Sequence, residues 1–194
     1  MYNGPLGLPF VLEDKTGSLT NTTLTDIYGR LTIRFDESLV RPGRAVTMVR
    51  VVSAETDQAP LVPEAVLDFD LSNQSTALGS VMYPPRQSIP MDAYMQKMPP
   101  QQTGGLLCRK FTASDGQEYK WTLIHQSQSR AQWTCVTSTT NYFVASYDVV
   151  DDHMTGRPGA GSKSFSVTDT WVHLAVELLT SLAILRHISY KELK

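Results

Sequence analysis

The chain has 194 residues, of which 41% are hydrophobic, and this is enough for a single domain over 1–194 with a core of its own. Its 17 basic and 19 acidic residues give a net charge of −2, which excludes a global positive field, so we expect no nucleic-acid partner. The two cysteines and four histidines lack metal-ligand spacing, and we expect free thiols, no metal and no cofactor. The N-terminal segment is not a signal peptide, which favours a cytoplasmic protein, or one peripheral at membranes.

The first half of the chain is typical of short strands joined by turns. After a weak strand at 10–12, the segment 19–35 predicts a hairpin around Tyr28-Gly29-Arg30, and 45–53 has the β-branched density of a half-buried strand. The segment 65–71 alternates with a period of two, so its apolar residues share one face. Asp68 and Asp70 then lie together on the outer face as solvated carboxylates.

A Pro- and Met-rich segment follows at 84–105. Its composition predicts a loop of about twenty residues with one short helical turn near 92–97, and loops of that length are usually functional or disordered. Two roles are open for Met91, Met95 and Met98: they cap the end of a barrel, or they give adaptable contacts to a partner.

The segment 106–125 predicts a hairpin whose register follows from its turn. A three-residue loop at 114–116, with Gly116 left-handed, pairs Phe111 with Tyr119 and keeps apolar residues on one face. The same register places Lys110 opposite Lys120 on the other face. Sheets avoid such like-charge pairs, so this one needs an anion or an acidic neighbour.

A second hairpin is predicted over 131–139 and 142–150, with Trp133, Cys135, Phe143 and Tyr147 among its alternating residues. The Gly-rich segment 151–163 predicts a mobile loop, and the absence of GKS or GKT before a helix excludes a phosphate cradle there. A last strand at 164–167 leads into the C-terminal segment.

The C-terminal segment, 169–191, is the one stretch whose length and period demand a helix. Its apolar residues cover about 200° of the circumference, about twice what a surface helix needs, so it must be surrounded by a membrane, a partner or this chain. Glu177 interrupts the run and Arg186 closes it after about 15 residues, whereas a membrane span needs about 20. We therefore predict a mainly β fold: an antiparallel β-barrel wrapped around this helix.

Three stretches carry a resemblance to a known family: NTTLTDIYGR at 21–30, RKFTASDGQEYKWTL at 109–123, and the closing helix. Together they resemble a widespread family of basidiomycete proteins with a domain of unknown function. That family is similar in turn to the tubby-type architecture of tubby C-terminal domains, phospholipid scramblases and plant LURP-one proteins. The resemblance implies a fungal protein with a β-barrel threaded by a hydrophobic helix. Tubby domains bind phosphoinositides through surface basic residues.

Three functions remain open on the sequence alone. The first is a lipid or anionic small-ligand binding module, whose candidate residues are Arg109, Lys110, Lys120 and Arg130. The second is a protein-interaction module that uses the Met-rich loop. The third is an enzyme that cyclises or isomerises a small apolar metabolite in a pocket in or beside the barrel. Its candidate acids and bases are His125, Tyr147, Asp148, Asp151, Asp152 and His153.

Overall fold

The computed structural model describes residues 7–14, 16, 19–52, 61–72, 76–103, 106–127, 130–150 and 163–192. Within these ranges all the strands belong to one antiparallel sheet of thirteen strands. The strands are β1 Phe10–Asp14, β2 Thr22–Asp26, β3 Thr32–Arg41, β4 Arg44–Val52, β5 Ala65–Asp70, β6 Gly79–Met82, β7 Ile89–Pro90, β8 Gln96–Lys97, β9 Cys108–Thr112, β10 Glu118–Ser127, β11 Arg130–Thr137, β12 Phe143–Val150 and β13 Lys163–Val167. The helices are α1 Met91–Tyr94, α2 Pro100–Thr103 and α3 Ala175–Glu192, the last preceded by a 3₁₀ segment, Asp169–Leu174.

The sheet runs in the order β7-β6-β5-β4-β3-β2-β1-β13-β12-β11-β10-β9-β8. Its two edge strands, β7 and β8, are consecutive in the chain and are joined by the single turn α1, which touches β6, β7 and β8. Because so short a connection holds the two edges near each other, the sheet must curl almost fully round. The mainly antiparallel β fold is thus confirmed, although the hydrogen-bonded ladder does not close. We call the gap between β7 and β8, spanned by α1, the seam.

The helix α3 lies inside this curled sheet. Every residue from 178 to 185 is buried, on all sides of the helix, and these residues belong to the same core as the inward faces of the strands. The segment Asp169–Lys191 is long and apolar enough to cross a membrane by length and composition alone, yet most of it is buried within the protein. The strands of this chain therefore supply the apolar surroundings that the helix requires.

The predicted register of the hairpin formed by β9 and β10 is confirmed. Phe111 pairs with Tyr119 and Lys110 with Lys120, and Gly116 has φ of +79° in the loop that joins β9 to β10. The amide of Ala113 donates to the carbonyl of Gln117 at 3.0 Å, which closes the three-residue loop between them. Only this arrangement places the aromatic residues of both strands in the core.

Two predictions about individual segments need correction. The helical turn expected near 92–97 is present as α1, but the segment 84–105 is not otherwise a long loop: it also contains β7, β8 and α2, and it supplies both edges of the sheet. In β12 the predicted inward residue Phe143 is exposed and Val144 is buried, because a bulge between Cys135 and Val136 shifts the register. The predicted mobile loop lies, except for Lys163, outside the described residues.

The remaining hairpins follow their sequence patterns. The strands β2 and β3 flank the turn at Gly29, which has φ of +70°, and β11 and β12 form the second predicted hairpin. On β5, Asp68 faces outward as predicted but is paired with Arg44 at 2.7 Å. Cys108 and Cys135 are both buried and both free thiols.

Candidate functional site

The predicted anion patch on the outer wall contains its own counter-charge. Lys110 and Lys120 are cross-strand neighbours, and the Lys110 ammonium contacts the Glu118 carboxylate at 2.8 Å. Glu118 lies on the same outward face, two residues before Lys120. The acidic neighbour that the register demanded is therefore present, and the lysine pair does not need an external anion to exist.

The other two predicted basic residues do not extend this patch within the described structure. Arg109 has the opposite strand parity to Lys110, so its side chain faces inward beside Trp121 and is buried. Arg130 begins β11, but its side chain lies outside the described part of the molecule. A four-residue basic surface is thus not assembled from the residues described.

The predicted acid and base candidates are not brought together in one site by the described structure either. Tyr147 faces the core, where its hydroxyl donates to Asp14 at 3.0 Å; burial, then the negative charge of Asp14, raises the pKa of Tyr147. Asp148 faces outward and accepts a hydrogen bond of 2.7 Å from the Gln132 amide. His125 contributes only its backbone, in β10, to the described structure. Asp151, Asp152 and His153 lie outside the described residues.

A different group of polar side chains converges on a cavity at the seam. The cavity has a volume of about 200 Å³ and lies where the connection from β6 to β7, the turn α1, the strands β8 and β9, and the helix α3 meet. We call it the seam cavity. Its lining comprises Tyr83, Arg86, Gln87, Ile89, Ala93, Tyr94, Gln96, Thr112 and Glu177.

Two tyrosines form one wall of the seam cavity. The hydroxyl oxygens of Tyr83 and Tyr94 are 3.0 Å apart, so one phenol donates a hydrogen bond to the other. Their rings lie 5.9 Å apart, and the Tyr94 ring packs in turn on Phe111 at 5.7 Å. The aromatic contacts therefore cross the seam from β6 to β9. Burial raises the pKa of both phenols, so both remain protonated at neutral pH.

A carboxylate from the central helix also lines the cavity. Glu177 lies in the first turn of α3, and both of its oxygens accept hydrogen bonds from Ser114, one from the backbone amide at 2.8 Å and one from the hydroxyl. Its negative charge also raises the pKa of Tyr83 and Tyr94, which places the three groups within electrostatic reach. The loop between β9 and β10 thus positions a carboxylate beside two phenols.

Sequence analysis missed this group of residues. Glu177 interrupts an otherwise apolar helix, and this was the one available signal, since an ionisable residue on a core helix needs a reason to be there. In the sequence alone, this residue counts against a membrane span and does not point to a site. Tyr83 and Tyr94 lie on either side of a proline-rich stretch and carry no local pattern that marks them.

A second cavity, of about 450 Å³, is lined by Arg44, Asp70 and Gly79 among others. Its charged groups already have structural partners. Arg44 contacts both carboxylate oxygens of Asp68, and Asp70 accepts a hydrogen bond from the Ser72 amide at 2.8 Å. Among the residues that the structure describes, no three His, Cys, Asp or Glu side chains are arranged to hold a metal ion.

No family model, curated protein or solved structure matches this chain. Function therefore has to be argued from the geometry of the site itself. Within the described structure, the seam cavity is the place where a concave surface, two half-buried phenols and a carboxylate coincide. Such a combination is the usual starting point for a binding-site hypothesis.

Proposed function

We propose that this protein binds a small organic molecule in the seam cavity and holds an oxygen atom of that molecule against the Tyr83 and Tyr94 hydroxyls. The observation that carries the proposal is the 3.0 Å contact between these two hydroxyls at the cavity wall. One hydroxyl proton lies between the two oxygens. The other proton can be accepted by a ligand oxygen, which would compete with the Thr180 hydroxyl that also hydrogen-bonds with Tyr83.

The size of the cavity supports a small ligand. Drug-sized molecules occupy pockets of about 300–1,000 Å³, whereas the seam cavity has about 200 Å³. A single substituted ring, or the head of a longer molecule, fits that volume. Ile89, Ala93 and the tyrosine rings give apolar contact, while the exposed Arg86 offers a positive charge to a carboxylate. The ligand is thus a small, mainly apolar molecule with a carbonyl or carboxylate oxygen.

The proposed ligand belongs to the class expected from the sequence, but its site is the seam cavity and not the outer wall. The curled antiparallel sheet around a C-terminal helix supports a relationship to the tubby-type architecture. A phosphoinositide head group is a poor fit, because several phosphates would meet one arginine and a glutamate in a small space. We propose a cytoplasmic protein that takes its ligand from solution.

Three probes that share one ring can test the site: cyclohexanone, cyclohexanol and cyclohexanecarboxylate. Each is titrated into the full chain, and the dissociation constant is measured from shifts in the protein NMR spectrum. We expect cyclohexanone or cyclohexanecarboxylate to bind in preference to cyclohexanol, because each offers a stronger acceptor to the phenols. Tyr83→Phe and Tyr94→Phe should each weaken binding, and the double variant Tyr83→Phe/Tyr94→Phe, which leaves no phenol to donate to the ligand, should weaken it about fivefold, as the loss of one hydrogen bond implies.

The matched control is Tyr142→Phe, which removes the same atom from a tyrosine that is exposed on the turn after β11. It should bind the probes as the parent does. If none of the three probes binds, or if Tyr142→Phe weakens binding as much as Tyr94→Phe does, the seam cavity is not the ligand site.

A further inference from the structure

Building on the proposed ligand site, we propose that the seam cavity catalyses the enolisation of a small carbonyl compound, with Glu177 as the general base and the Tyr83–Tyr94 pair as the hydrogen-bond donor to the carbonyl oxygen. The reaction class is proton transfer next to a carbonyl group, which includes double-bond isomerisation. The geometry that points to it is a carboxylate and two protonated phenols on the lining of one cavity that admits a single ring.

The two kinds of group come from separate parts of the fold. The phenols belong to α1 and to the residue that follows β6, while Glu177 belongs to the central helix. A ligand held with its oxygen at the phenols therefore has its neighbouring carbon inside a cavity that Glu177 also lines. Enolisation requires this arrangement of a base at the carbon and a donor at the oxygen.

Ser114 fixes the base. Its amide donates to one carboxylate oxygen of Glu177 at 2.8 Å and its hydroxyl donates to the other, so the carboxylate cannot rotate freely. Each oxygen still has a second lone pair, and that lone pair can accept a proton from a ligand. Ser114 is thus a positioning residue and does not itself touch the reacting atoms.

The step balances without an oxidant or another reactant. A Glu177 oxygen takes the proton from the carbon next to the carbonyl, and the electron pair of the broken C–H bond forms a C=C bond. The π pair of the carbonyl moves onto its oxygen, where the hydrogen bond from the Tyr83–Tyr94 pair stabilises the negative charge. The raised pKa values of the phenols keep them as donors that do not ionise. Return of a proton from Glu177 to the same carbon, or to a conjugated one, completes the cycle.

Deuterium exchange at the carbon next to the carbonyl measures this proton transfer directly. Cyclohexanone is incubated with the full chain in D₂O, and the loss of its α-proton signal is followed by NMR. At equal concentrations of the protein and of free acetate, we expect the α-protons to exchange about 100-fold faster with the protein. The reason is that a positioned base contributes about 10²–10⁴-fold. Glu177→Gln should reduce the exchange rate to the rate measured with free acetate. The dissociation constant of cyclohexanone should change by less than about threefold. Tyr94→Phe should reduce the rate about tenfold.

Glu37→Gln is the matched control, because Glu37 is exposed on β3 and lines neither cavity. It should exchange at the parental rate. Glu177→Asp gives a second test that keeps the charge and withdraws the carboxylate by one methylene group, and it should lower the rate at least tenfold even where Glu177→Gln does not fold. Binding of cyclohexanone without accelerated exchange, or equal exchange in the parent and in both Glu177 variants, overturns the catalytic inference and leaves the binding proposal standing. Failure of all three ring probes to bind overturns both.

Discussion

The indole nitrogen of Trp121, on β10, donates a hydrogen bond of 2.9 Å to the hydroxyl of Ser181 in the middle of α3. The Ser181 hydroxyl in turn donates a hydrogen bond of 2.8 Å to the carbonyl of Leu178, so both buried polar groups are satisfied. This contact joins the wall of the sheet to the helix that it encloses. Because it is directional, it fixes the rotation of a helix whose apolar faces could otherwise pack in several ways.

We expect Ser181→Ala to lower the free energy of unfolding by about 1–3 kcal/mol, because it leaves the buried Trp121 N–H without an acceptor. Trp121→Phe should also be destabilising, through the loss of volume and contacts. The double variant Trp121→Phe/Ser181→Ala should cost less than the sum of the two single variants. Urea unfolding of all four proteins gives the interaction energy. Strict additivity would show that the contact does not join helix and wall in solution.

Leu182→Ala should lower the free energy of unfolding by about 3 kcal/mol, because it opens a cavity in a fully buried layer of the core. Leu61→Ala is the control, since Leu61 is 98% exposed and its truncation should change stability by less than about 0.5 kcal/mol. Both are measured by chemical denaturation. A loss below about 1 kcal/mol for Leu182→Ala would place the helix on the surface.

The protein should lose stability steeply in alkali. Burial raises the pKa of four tyrosines above the value of 10.0 that an unburied phenol has: Tyr83, Tyr94, Tyr119 and Tyr147. Below about pH 10 these phenols are protonated in both states and favour neither. Above it the unfolded chain releases protons that the folded chain retains, so the free energy of unfolding falls by about 1.4 kcal/mol per pH unit for each such tyrosine.

Urea unfolding at several pH values between about 8 and 11 measures this slope, and phenolate absorbance of the folded protein shows which tyrosines ionise before unfolding. Ionisation of all tyrosines near pH 10 without unfolding would contradict the packing of the seam and of the core.

Glu118→Gln should lower stability by about 0.2–1 kcal/mol, and by more at low salt, because it removes the counter-charge of Lys110 and leaves two lysines side by side. Lys120→Gln should be neutral or slightly stabilising. Thermal unfolding at low and high salt distinguishes the two. A salt-independent result for Glu118→Gln would mean that the ion pair does not form in solution.

Replacement of Lys110 and Lys120 also distinguishes the two candidate ligand sites, the outer wall and the seam cavity. If the seam cavity is the site, Lys110→Gln/Lys120→Gln should bind the ring probes as the parent does. Weaker binding of that double variant to phosphatidylserine vesicles, by several-fold at about 0.1 M salt, would instead support the anion patch predicted from the sequence.

Several features of the structure were predictable because the residues that decide them are close in sequence. The register of β9 and β10 follows from the three-residue loop around Gly116 and from the need to place Phe111 and Tyr119 on one face. The alternation of β5 places Leu67 and Phe69 in the core. The failure at Phe143 has an equally local cause: a single bulge reverses which residues face inward, and no turn residue marks it.

The sequence by itself determined that the C-terminal helix is enclosed, because a helix whose apolar arc covers about 200° has to be surrounded, and it determined the antiparallel strands that enclose it. Only the tertiary structure decided where the edges of the sheet meet and which side chains meet there. Tyr94 reaches Tyr83 across the seam, and Ser114 reaches Glu177 from a loop 63 residues away along the chain. These contacts depend on the twist summed over thirteen strands, a quantity that no single segment encodes.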